Sequence, residues 1–191
     1  MMGFSTFCEA WLNRIPEKGS KDKAVTSSTK YNSPTDYEKN AQKIGEIDGL
    51  HLHSSETAGG GIKHFTWSPT DNKIHHVVYA AQTTPIKGGR RLQFLSAHRR
   101  TSSKVNMGQV YKHILQNGNE MVGTSHSLGA KKMWDRMRDS GIHIHGEHPD
   151  GSTQEIKPGD RTHADYGDKS KEGMRVGRMK LVASANTGGI V

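Results

Sequence analysis

Ile62-Lys63-His64-Phe65-Thr66-Trp67 and Ile74-His75-His76-Val77-Val78-Tyr79-Ala80-Ala81 are two apolar-rich runs separated by Ser68-Pro69-Thr70-Asp71-Asn72. β-Branched and aromatic side chains dominate both runs, and the separator is made of turn formers, so the stretch predicts two strands joined as a hairpin. Upstream, Ile47-Asp48-Gly49-Leu50-His51-Leu52-His53 alternates apolar with polar residues, the pattern of a half-buried strand. Downstream, Arg91 to Arg99, with Leu92, Phe94, Leu95 and Ala97, predicts a fourth strand. Met107, Val110, Tyr111, Ile114 and Leu115 then fall at helical spacing, and that helix is expected to end at Asn117-Gly118. Met121-Val122-Gly123-Thr124 predicts a short strand. Leu128, Ala130, Met133, Trp134 and Met137 make a second helical stripe, capped by Ser127 and stopped at Gly141. Ile142-His143-Ile144-His145-Gly146 is the last expected strand, turning through Pro149-Asp150-Gly151-Ser152.

Outside this region the chain thins. Phe4, Phe7, Cys8, Trp11 and Leu12 recur at helical spacing before Pro16, which predicts an amphipathic helix over residues 1–16 that contacts another subunit. Residues 17–36 are rich in Lys, Ser and Thr and read as a flexible linker. Residues 37–157 form the expected domain, and residues 158–191 are polar and Gly-rich and read as a tail, a second contact for neighbouring subunits.

Composition sets limits on function. Of 191 residues 31% are hydrophobic, and Leu, Ile, Val and Phe make up only about a sixth, so the expected core is small. No apolar run approaches the roughly 20 residues of a membrane span. The first residues lack the basic and then apolar pattern of a secretory signal, so host cytoplasm or virion is the expected location. The single Cys8 allows neither an internal disulfide nor a Cys-based zinc site.

Lys and Arg number 27 against 19 Asp and Glu, an excess of +8. Between Asp71 and Glu120 there is no acidic residue, while Lys73, Lys87, Arg90, Arg91, Arg99, Arg100, Lys104 and Lys112 all fall there. Such a stretch reads either as a solvated basic face or as a contact for nucleic acid or another phosphate-bearing anion. Aromatic residues are too few in it for a base-stacking platform.

Other constellations are weaker. His143 and His145 share a strand face with His148 beyond the turn, and His51 and His53 repeat the spacing. No third ligand accompanies either pair, so polar strand positions are expected and no metal site. In Thr124-Ser125-His126-Ser127 adjacent residues point to opposite strand faces, which defeats a Ser–His pair. No catalytic residue is assigned.

Three segments carry a family resemblance. Leu92-Gln93-Phe94-Leu95-Ser96-Ala97-His98-Arg99-Arg100 resembles the central strand that opens the cofactor cleft of the GCN5-related N-acetyltransferases. Lys104-Val105-Asn106-Met107-Gly108-Gln109-Val110-Tyr111-Lys112-His113-Ile114-Leu115 is similar to their pyrophosphate loop and following helix. Thr124 to Met137 resembles the strand-then-helix ending of divergent members encoded by tailed bacteriophages, as Gly3-Phe4-Ser5-Thr6-Phe7 resembles their leader helix. The resemblance implies an α+β fold, a mixed central sheet flanked by helices, with a tethered N-terminal helix and a polar tail. It also implies acetyl-coenzyme A binding at Arg100, Ser102, Ser103, Lys104 and Asn106, where a helix N-terminus would cradle the pyrophosphate.

The loop lacks the paired glycines of that family. The expectation is therefore a non-catalytic virion or assembly protein of phage type, with no cofactor and a basic anion-contacting surface. The alternatives are an acetyl-coenzyme A-dependent N-acyltransferase acting on an amine and a small basic nucleic-acid-associated protein.

Overall fold

The computed structural model describes residues 31–86, 89–123, 128–157 and 180–185. The expected N-terminal helix lies outside them, as does Thr124-Ser125-His126-Ser127. Among the described residues, nine strands join one sheet in the order β1-β2-β3-β4-β5-β6-β9-β7-β8. Five form an antiparallel meander: β1 (Gln42–Ile47), β2 (Leu50–Glu56), β3 (Gly61–Ser68), β4 (Lys73–Ile86) and β5 (Gly89–Arg99). The chain then passes through α2 (Met107–Gln116) to β6 (Glu120–Gly123), which lies parallel to β5. It goes on through α3 (Leu128–Asp139) to β7 (His143–Glu147) and β8 (Thr153–Glu155). Finally β9 (Lys180–Ser184) inserts between β6 and β7, antiparallel to both. A four-residue helix, α1 (Pro34–Tyr37), precedes the sheet.

This architecture corrects the expected fold. The described region is not a helix-flanked α+β domain of the acetyltransferase type. It is predominantly one nine-stranded mixed sheet with few helices among the described residues. Local chemistry explains much of the difference. The alternation from Ile47 to His53 is not one strand, because Asp48 (φ 47°) and Gly49 (φ 77°) both adopt left-handed backbone and reverse the chain. Ile47 thereby pairs with Leu50 across a two-residue turn, the geometry that an Asp-Gly pair favours. The expected tail contains β9, an interior strand whose Leu181, Val182 and Ala183 are buried between β6 and β7. The end of the expected linker docks as well. The Tyr31 N–H donates to the Asn72 carbonyl (2.9 Å), and the Tyr31 and Tyr37 rings meet edge-on, Tyr37 in turn against Phe65.

Period-2 alternation gives the sheet two different faces. On one, Leu50, Leu52, Ile62, Val78, Ala80, Leu92, Met121, Leu181 and Ala183 pack with Val110, Tyr111, Ile114 and Leu115 of α2 and with Trp134 and Met137 of α3. Phe94 stacks on Tyr111 with ring centroids 5.1 Å apart. On the other face a smaller layer of Phe65, Ile74 and Val77 lies under Tyr31, Tyr37 and Ala41. Lys63 reaches Glu38 there and lies over the Tyr37 and Tyr79 rings.

Candidate functional site at the basic end of β4 and β5

The antiparallel pairing of β4 and β5 sets His76 opposite Arg99, so the first residues of β4 and the last of β5 share one end of the sheet. Residues 100–106 leave that end and lead into α2. This is the segment the resemblance assigned to acetyl-coenzyme A, and most of its polar groups are committed to the fold. Arg100 is 9% exposed, and its Nε donates to the Ile74 carbonyl at 2.9 Å. Its backbone N–H donates to the His75 carbonyl at 2.8 Å. Ser103 is buried, with its hydroxyl 3.4 Å from the Val105 carbonyl. Asn106 is the N-cap of α2, accepting from the Gln109 N–H at 3.0 Å while the Gln109 side chain accepts from the Asn106 N–H at 2.9 Å. That capping box occupies donors that would otherwise be offered to phosphate. Of the five expected contact residues, Ser102, Lys104 and Asn106 are exposed, and the Asn106 side chain is taken up by the cap.

A buried histidine holds the loop in place. His76 is fully buried, with Nδ1 2.7 Å from the Thr66 hydroxyl and Nε2 3.0 Å from the Val105 carbonyl. A carbonyl only accepts, so Nε2 carries the proton; in the neutral ring, Nδ1 accepts from Thr66. Burial depresses its pKa to about 4, which keeps the ring neutral. Nε2 is therefore a committed donor, and Ser103 Oγ, 3.5 Å away, gains no general base from it. Arg99 adds a tie, Nη2 donating to the Ser103 carbonyl at 2.6 Å.

The cations of the acid-free stretch have separate fates. Arg91 is held between Glu120 (2.8 Å) and Glu147 (2.9 Å), joining β5, β6 and β7. Arg90 pairs with Glu56 at 2.9 Å. Arg100 is buried, and Lys87 lies outside the described residues. Lys73, Arg99, Lys104 and Lys112 remain, and none forms an ion pair among the described residues. Lys73, Arg99 and Lys104 gather at the β4–β5 end, with Thr101 and Ser102 exposed between them; Lys112 is exposed on α2. Two carboxylates share this end: Asp71, 3.5 Å from His75 Nε2, and Asp48, which accepts from Gln109 Nε2 at 3.2 Å. Arg90 and Arg91 sit at the other end of β5, roughly 25 Å away at about 3.3 Å per residue.

The histidine pairs do not converge with other ligands. His143 and His145 have ring centroids 5.6 Å apart, and His145 Nε2 is 3.7 Å from Glu147 Oε1, a carboxylate already on Arg91. No group of three or more metal-ligating side chains is arranged to hold an ion among the described residues. No helix among them is long and apolar enough to cross a membrane. The pin His76 and the place of Lys73 at this end of the sheet were not legible in the sequence. The acid-free run signals the cations, but only strand register places Lys73 beside a loop some thirty residues downstream. No family model matches the chain, and no curated protein shows significant similarity to it.

Proposed function

We propose that the chain is a non-catalytic scaffold with a virion or assembly role, acting in the host cytoplasm or virion. It contacts an anionic surface through the basic end formed by Lys73, Arg99 and Lys104. The observation that carries this reading is the division of labour in residues 99–106. Arg100, Ser103 and Asn106 are committed to internal hydrogen bonds, while the charges of Arg99 and Lys104 stay at the surface. A loop built in this way presents fixed cations to a partner but keeps few backbone donors for one bound pyrophosphate. Nucleic-acid backbone is the simplest such partner, and its contact with three cations gives salt-dependent binding without sequence preference.

Fluorescence anisotropy of a labelled mixed-sequence duplex at low salt tests the reading. The wild-type protein binds, with log affinity falling against log salt at a slope of about −3 if all three cations engage phosphate. Arg99→Glu with Lys104→Glu removes most of that binding, while Arg90→Glu leaves it nearly intact. No binding at low salt, or equal loss from both ends of β5, refutes it. A thermal shift of about 2.7 kcal/mol equivalent with acetyl-coenzyme A at a hundredfold excess over its dissociation constant would instead restore the acyltransferase alternative.

A further inference from the structure

Three imidazoles are buried in β2, β3 and β4: His53 is 6% exposed, His64 2% and His76 0%. They penetrate both layers. His53 pairs with Phe65 across the strands and stacks on its ring, with centroids 5.3 Å apart, on the face covered by α1. His64 lies on the opposite face between Ser54 of β2 and Val78 of β4, where Leu52, Ile62 and Val78 form the helix-covered core. His76 pins the loop at the basic end. Neither ring nitrogen of His53 or His64 has a hydrogen-bond partner among the described residues.

The charged surroundings are equally one-sided. Lys43 of β1 and the neighbouring His51 face His53, Arg90 of β5 acts on His64, and His75 and Arg99 of β5 act on His76; each opposes protonation. The carboxylates of this half have other partners. Glu46 is on Lys43 and His51, Glu56 on Arg90, Asp71 against His75, and Glu38 on Lys63. No described carboxylate pairs with any of the three buried rings.

We propose that the β2–β4 half of the sheet is an acid-sensitive latch, closed while His53, His64 and His76 are neutral and forced open when they gain protons that the packed sheet cannot accommodate. Opening would release α1 from one face and the loop bearing Lys104 from the other, so acid would dismantle the basic end as a unit. The proposal concerns conformation and stands whether or not the basic end binds nucleic acid.

Burial places the pKa of His64 at about 4, against an ordinary 6.5. Protonation of the unfolded chain alone across that gap shifts its opening equilibrium by up to about 300-fold. An NMR titration of the histidine imidazoles in the full chain, with amide exchange followed from pH 7 to pH 4, tests the latch. The three rings should stay neutral through pH 6, and β2–β4 amides should lose protection below pH 5.5 before those of β6, β7 and β9. His64→Leu, which fits a charge-free core, should move the midpoint of this loss to lower pH, whereas His148→Gln on the exposed β7–β8 turn should not. If the three rings titrate near 6.5 with β2–β4 still protected, or if protection is lost uniformly across the sheet, the latch does not exist. If His64→Leu fails to fold, the wild-type titration alone decides.

Discussion

The two halves of the sheet handle polar groups in opposite ways. Along the β6–β9–β7 half the half-buried charge is paired: Arg91 at the adjoining end of β5 is held by Glu120 and Glu147. The desolvation of each group is offset by an opposite charge within reach. In the β2–β4 half the buried polar groups are neutral imidazoles, two of them without hydrogen-bond partners among the described residues. One half is tied by an ion triad, while the other carries neutral buried imidazoles beside the part-buried Lys63–Glu38 pair. The first should be sensitive to loss of a single charge and the second to gain of one. The helix-covered core spans both halves, with Leu52 and Val78 from one and Leu181 and Ala183 from the other, so it couples these separate vulnerabilities.

The largest expected effect tests that coupling. Trp134 of α3 is 4% exposed within the shared core. Trp134→Ala should cost about 3–5 kcal/mol through lost burial and the cavity left behind. Denaturant unfolding followed at several probes should show one transition shifted as a whole. Two transitions, with only the β6–β9 half weakened, would separate the halves.

Acid comes next. His64 has a depressed folded pKa, so the unfolded chain binds the proton first as pH falls through 6.5 and stability declines until the folded group titrates near 4. At most about 3 kcal/mol is lost through this residue over that window. Unfolding free energies measured at pH 7, 5.5 and 4.5 should fall with pH in the wild type and fall less steeply in His64→Leu. Equal slopes would remove the histidine from the account.

The ion-held half supplies the third effect. Arg91→Met leaves Glu120 and Glu147 half-buried without their shared cation. The expected cost is about 1–3 kcal/mol, reduced from that of a fully buried pair by partial exposure. A variant as stable as wild type at pH 7 would show that the triad is electrostatically idle.

Much of this division could be read from sequence and some could not. The Ile62–Ala81 hairpin was legible because β-branched and aromatic residues surround a five-residue turn, and the structure forms β3 and β4 there. The helix stripes of α2 and α3 gave the right buried faces: Tyr111, Ile114, Trp134 and Met137 are all buried. The Asp48-Gly49 reversal was missed because alternation continues through the turn, so period alone could not distinguish one strand from two. β9 was hidden for a different reason. Three apolar residues inside a polar, Gly-rich tail carry little local signal, and their strand is specified by Met121, Val122 and Ile144, which are far away in sequence. The candidate site followed the same pattern. The cations were visible as a run, whereas the internal hydrogen bonds of Arg100 and Ser103 depend on carbonyls that the sheet register and the loop supply.

The smallest expected change in stability carries the most functional information. Lys104 is exposed and forms no ion pair among the described residues, so Lys104→Glu should alter stability by no more than about 0.5 kcal/mol. Arg100, four residues earlier and of the same charge, has its guanidinium buried against the Ile74 carbonyl, so Arg100→Glu should destabilise the chain before any question of binding arises. These two substitutions therefore separate surface charge from structural charge within a single loop. Lys104→Glu is expected to keep the wild-type melting temperature and to weaken duplex binding at low salt several-fold, with a shallower salt slope. Because the charge acts near the surface, raising the ionic strength should bring the wild-type and Lys104→Glu affinities together. An affinity gap that persists in high salt would mean that Lys104 makes a short-range contact, and the basic end would then be a defined pocket rather than an electrostatic surface.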